Sequence, residues 1–319
     1  MNVYHSLAAS LIITLMKIAP AFSAPFAYIT NQGENTVSVI DLASDQVIKT
    51  LTVGKGPVGV TIAPRAERAY ISNVDGQTIS VIDIARQAVI GEIQVAGTPV
   101  GLAVTADGKT LYVADWYDER VVAIDTAAPD QRKILPAGKA PAGLTLSPDE
   151  KTLYIANRDS NDVMAVDTVS LQVMARIGVG NHPFGLALGK EGKTLYSVNV
   201  FDNSVSVIDT VAHLVTATLK VGEHPYCASL SVDGKKLYVS NTQDDTVSVL
   251  DTDSHEVAAT VAVDGNPEGL AFHGDKVYVA SWLEDRVSVI DATSHKKIAS
   301  IPTGKKSRAF GPFIDKVPD

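Results

Sequence analysis

Tyr28-Ile29-Thr30-Asn31, followed by Thr36-Val37-Ser38-Val39-Ile40-Asp41, decides the fold, because the chain keeps returning to it. Its tyrosine recurs as Tyr70, Tyr112, Tyr154, Tyr196, Tyr238 and Tyr278, at five spacings of 42 residues and a last one of 40. Its aspartate recurs as Asp83, Asp125, Asp167, Asp209, Asp251 and Asp291. Prolines keep the same beat at Pro57, Pro99, Pro141, Pro183, Pro225 and Pro267. Three markers in register over most of the chain are a structural repeat, and a fixed period of this length is read before anything else.

Each unit reads as four short strands. The first follows the proline, as in Gly101-Leu102-Ala103-Val104. A turn such as Ala106-Asp107-Gly108-Lys109 leads to the strand that carries the tyrosine. A loop rich in Asn and Asp comes next, where short polar side chains bond their own backbone. The third strand, as in Val37–Asp41, alternates at period two, and the fourth runs like Val47–Val53. No stretch shows a helical period. Four antiparallel strands per unit, repeated seven times, predict an all-β, seven-bladed β-propeller of four-stranded antiparallel blades. The chain enters on Phe26-Ala27-Tyr28, a second strand, so blade 1 lacks its first. Arg308–Ile314 aligns with the first strands elsewhere, with Ser307 in the proline slot, and is expected to complete blade 1 and lock the ring.

The chain has 319 residues, 45% hydrophobic and 20% charged, an ordinary globular balance. Its net charge of -9 disfavours nucleic acid as a partner, and no run of Lys and Arg offsets it. Leu7–Met16 is a short apolar run followed by small residues at 19–24, which predicts a secretory signal peptide over 1–24 and a propeller over 25–319. That run is too short to span a bilayer, so no membrane span is expected after cleavage. With Cys227 the sole cysteine, no internal disulfide forms. Together these features suggest a Gram-negative periplasmic or secreted protein, taken as a monomer.

Tyr-x-x-Asn, then Thr-Val-Ser-Val-Ile-Asp, then Gly-x-x-Pro-x-Gly resembles the YVTN-type β-propeller repeat and its periplasmic YncE-like proteins. The resemblance covers residues 26–314 and implies the fold. Related seven-bladed folds include lactonases and the streptogramin lyase, so it implies little about activity.

Repeated residues serve the ring, so function is sought where equivalent positions differ between blades. The residue after each proline slot runs Val58, Val100, Ala142, Phe184, Tyr226, Glu268, Arg308, turning from small and apolar to aromatic and charged. His182 and His224 precede Pro183 and Pro225 in two loops of adjacent blades. Both tryptophans, Trp116 and Trp282, and Arg158 follow the end of the tyrosine strand. Aromatic groups beside charges mark binding surfaces. Phe184, Tyr226, Glu268, Arg308, His182, His224, Trp116, Arg158 and Trp282 are therefore the candidate surface for a protein partner or small-molecule ligand, at the face around the channel mouth. No G-x-S-x-G elbow, H-E-x-x-H or P-loop is present, so a non-enzymatic binding or scaffolding role leads. The enzyme alternative, a lactonase or lyase, would use His224 or His182 as general base, Glu268 as acid or metal ligand, and Arg308 as a carboxylate clamp. A third reading is an accessory to a periplasmic redox system with a quinone or haem cofactor. No cofactor is expected. His182 and His224 are ligand types for a divalent metal, but two make an incomplete set.

Overall fold

A computed structural model describes residues 25–315; the expected signal segment at 1–24 lies outside the described residues. Seven four-stranded antiparallel sheets are arranged blade by blade, with no α-helix among the described residues. Blade 2 is typical, with strands Pro57–Ala63, Arg68–Asn73, Thr78–Asp83 and Ala88–Gln94 in sequential order. A four-stranded sheet with two apolar faces cannot be stable alone; here each blade covers its neighbours.

The repeated residues do this work. The tyrosines are buried, and several hydroxyls donate to the next blade: Tyr238 to the Ala292 carbonyl at 3.2 Å and Tyr278 to Asp45 Oδ1 at 2.6 Å. The aspartates cap the hairpin that follows them, as where the Ala43 N–H donates to Asp41 at 2.8 Å. The repeat also places Asn31, Asn73, Asn157, Asn199 and Asn241 where the tyrosine strand meets the loop that follows it. They end their strands fully buried. Asn31 Nδ2 donates to Thr36 at 3.0 Å and Ser38 at 2.9 Å, while its Oδ1 accepts from Gly304 N–H at 3.1 Å. Each such amide joins two strands of its own blade and, in blades 1 and 4, also holds the segment arriving from the blade before. Glycine third in the innermost strand has a steric cause: a Cβ on Gly101 would run into the Ala142 carbonyl oxygen of the next blade.

Closure differs in detail from the expected uninterrupted strand. Ser307–Arg308 pairs with Asn31 and Thr30, and Ile314 bridges Ala27, so the C-terminal segment does complete blade 1. In blade 2, Pro57 and Ile62 take the equivalent partners Asn73 and Ala69. The C-terminal segment therefore carries two extra residues between its pairing points. The chain loops out there, Phe310 turns to blade 2, and Phe310 O accepts from Val60 N–H at 2.9 Å. Gly311 sits at φ +113°, where a Cβ would strike the Val60 carbonyl oxygen. Ala309, Phe313 and Ile314 enter one apolar core with Tyr28, Ile29, Ala280 and Val287, so the seam is packed like any other blade junction. On the opposite face Lys276 Nζ pairs with Asp45 at 2.5 Å, also across blades 7 and 1.

Removing residues 305–319 strips several buried apolar side chains, each contributing about 1.5–3 kcal/mol, from a fold whose total stability is of order 5–15 kcal/mol. Thermal melting of this truncation should lose the cooperative transition or shift it down by more than about 10 °C. Gly311→Ala should lower the melting temperature while keeping cooperativity. An unchanged melt for the truncation would refute the seam.

Candidate functional site

The channel mouth is built from two sets of loops. The residue before each innermost strand holds a left-handed backbone in most blades: Gly56, Ala140, His182, His224, Asn266 and Lys306, at φ between 48° and 63°. Its N–H is capped from the loop before, as where His182 N–H donates to Asn161 Oδ1 at 2.9 Å and His224 N–H to Asn203 Oδ1 at 3.0 Å. Its carbonyl accepts from the neighbouring loop, as His182 O does from Val200 N–H at 3.1 Å. Glycine suits this conformation, and a larger side chain there costs of order 1 kcal/mol. Both histidines are thus held at positions where the backbone favours a smaller residue.

The residues after the proline slot point at the ring axis, where they converge and pack. Val58, Val100, Ala142, Phe184, Cys227 and Phe310 form one buried cluster, with Val74, Trp116, Val200 and Tyr226 against it. Phe184 lies 4.3 Å from Tyr226, 4.7 Å from Phe310 and 5.9 Å from Trp116, measured between ring centroids. The expected aromatic and charged half-ring at an open mouth is therefore largely a filling of the channel. Phe184 and Glu268 are each only 6% exposed. Arg308 is consumed there: Nε donates to Glu268 at 2.5 Å, Nη2 to Tyr226 Oη at 2.9 Å and Nη1 to Gln32 Oε1 at 3.2 Å. Burial lifts the Glu268 carboxyl above the usual range, against the pull of the guanidinium beside it. Burial likewise pushes the Cys227 thiol far up, which leaves it unreactive.

The remaining candidates, Trp282 excepted, gather on the rim of blades 3 to 6, around a residue the sequence reading passed over. The Phe201 ring lies 4.1 Å from His182 and 5.5 Å from His224, and Arg158 sits 5.7 Å from its centroid. Arg158 also lies 5.6 Å from the Trp116 centroid and pairs with Asp159 at 2.5 Å. Asp159 reaches His182 Nε2 at 3.4 Å. Burial and then the Arg158 charge hold His182 below the usual imidazole range. Phe201 is two residues past the buried asparagine, one step beyond the position compared in the sequence. That step runs Gly33, Asp75, Tyr117, Asp159, Phe201, Gln243, Leu283. Tyr117, Phe201 and Leu283 are 76%, 53% and 64% exposed, on alternate blades. Trp282 stands apart from Trp116, with Lys306 Nζ 5.3 Å from its ring centroid.

The four residues of the enzyme alternative are divided between two neighbourhoods. Glu268 and Arg308 neutralise each other in the filling, while both imidazoles rest against Phe201. No group of three or more His, Cys, Asp or Glu is disposed around one point among the described residues. This arrangement suits binding: apolar rim tips, a cation held over aromatic faces, and an apolar floor.

Comparison with known proteins bears on the fold. The family model described as a YNCE-like β-propeller matches residues 133–318, more than half of the chain. Hydrazine synthase of Kuenenia stuttgartiensis superposes at a TM-score of 0.73 with 24% identity, covering 81% of this chain and 90% of that one. A functionally unknown protein from Desulfotomaculum acetoxidans gives 0.77 with 13% identity, covering 90% and 99%. The dihydro-heme d1 dehydrogenase NirN, in complex with DHE, gives 0.70 with 14% identity, covering 92% and 76%. At such identities the likeness is one of fold. A PE-PGRS family protein of Mycobacterium tuberculosis is 54% identical over 37 residues, 12% of this chain, and this chain spans 8% of that relative's length.

Arg308→Met would leave Glu268 buried without its partner, which costs about 3–5 kcal/mol in denaturant melts at pH 7.5. A carboxyl whose folded pKa is raised contributes stability below its unfolded pKa and loses it as pH rises through the folded one. The deficit of the variant relative to wild type should therefore shrink as pH falls towards 5. A deficit that does not change with pH would mean that Glu268 keeps in the variant the protonation state it has in the wild type.

Proposed function

The chain belongs to the YNCE-like β-propeller family, and on that footing we propose that it is an exported, periplasmic or secreted, non-enzymatic binding propeller. Its channel-mouth face would dock a protein partner or small ligand. The observation that carries this reading is the row of exposed Tyr117, Phe201 and Leu283 around an apolar floor that includes Trp116. Exposed apolar groups clustered on one face of a soluble protein mark interaction sites, and aromatic and Arg anchors dominate their energetics. His182, His224 and Arg158, held around Phe201, would give the contact its polar selectivity. The apolar run at 7–16 supports export. The acidic net charge favours a partner other than nucleic acid. A lactonase or lyase would need its acid, base and clamp together, and here they are apart. A place beside a haem or quinone system has only fold-level likeness behind it.

The test is affinity capture from periplasmic extract with wild type, with Phe201→Ser/Arg158→Ala, and with Val211→Ser on the opposite face. A partner found with wild type and Val211→Ser should bind the mouth variant at least about 30-fold more weakly, the loss expected from a hot spot of 2 kcal/mol. Identical capture by all three proteins would rule out this face.

A further inference from the structure

The sector of the mouth face between blades 7 and 1 carries a second feature, centred away from Phe201 and sharing only Leu283 with the exposed rim row. A cavity of about 360 Å³, within the range of small-molecule sites, is lined by Gly33, Trp282, Leu283, Asp285, Lys305 and Lys306. Its chemistry is one-sided. Lys305 and Lys306 are both exposed, and neither joins an ion pair among the described residues. Asp285, the acid in the lining, spends Oδ1 on the Lys306 backbone N–H at 2.6 Å. Trp282 supplies an aromatic wall and Leu283 an aliphatic one, 64% exposed.

Three details point to a built site rather than a solvated face. Lys306 holds φ at 55°, the position where blade 2 has Gly56, so the backbone there favours glycine and yet carries a long cation. That backbone sets its ammonium over Trp282, 5.3 Å from the ring centroid. The Trp282 indole N–H is buried and meets no acceptor among the described residues, so the ring presents its face rather than its polar edge to the pocket's cation. Gly33 closes the far side: a Cβ there would press on Lys305 Cβ at 3.1 Å.

We infer that this pocket binds a small organic acid, a carboxylate on an apolar or aromatic body. The carboxylate pairs with the Lys305 and Lys306 ammoniums, and the body rests on Trp282 and Leu283. On a chain of net charge -9 this is a local exception that selects an anion, and the apolar walls select one with a hydrocarbon body.

The probe is phenylacetate, titrated at low salt into the full chain while the two tryptophan indole N–H signals are followed by NMR, with Trp282→Phe assigning them. A saturable shift of the Trp282 signal is expected. Neutral phenylacetamide should bind at least tenfold more weakly, as should phenylacetate to Lys305→Gln/Lys306→Gly, whose glycine suits the left-handed backbone and preserves folding. Added salt should weaken binding. Phe201→Ser should bind phenylacetate as wild type does, which separates this site from the rim. Equal binding of phenylacetamide, unchanged affinity in the double variant, a shift confined to Trp116, or no saturable shift would each overturn the proposal. Sulfate reproducing the full shift at equal affinity would do so too, since the apolar body would then contribute nothing.

Discussion

Each blade can bury its two faces only against its neighbours, so no blade is stable until the seventh meets the first. That requirement governs the rest of the molecule. It explains why buried Tyr238 and Tyr278 reach across to the next blade. It explains why Asn31 and its counterparts spend their amides on strand ends and arriving loops. It also explains the glycine of the innermost strands, where the next blade's carbonyl leaves no room for a Cβ. With Cys227 the sole cysteine, closure relies on packing and hydrogen bonds: Phe313 and Ile314 in the core, and Lys276 and Tyr278 on Asp45.

The same convergence that closes the ring fills its centre. Seven innermost strands direct one side chain each towards a shared axis, and the space there is limited. Aromatic groups at those positions pack on one another, and a charged pair placed among them must be internally satisfied. Arg308 meets Glu268, Tyr226 and Gln32, so the most chemically varied positions in the repeat are occupied with one another. Chemistry left free for other molecules moves outward to the rim. There the loop tips of alternate blades carry Tyr117, Phe201 and Leu283, with Arg158 beside Phe201 and Lys306 lining the same pocket as Leu283.

The sequence by itself determined the fold, the blade count and the terminus that completes blade 1, because a period of 42 residues carrying period-two strands has one way to bury its faces. It also marked where blades depart from one another, including His182, His224, Arg158 and the two tryptophans. Only the tertiary structure decided what those departures do. Whether a side chain after a proline slot faces solvent or the axis depends on strand direction in the ring, and this turned Phe184 and Glu268 from expected surface into filling. The two extra residues around Phe310 are invisible until pairing partners are known, since Arg308–Ile314 reads as one continuous strand. The weight of Phe201 was hidden for a similar reason: its contacts, His182, His224 and Arg158, come from three other loops, and proximity between loops is set by the packing of blades rather than by order along the chain.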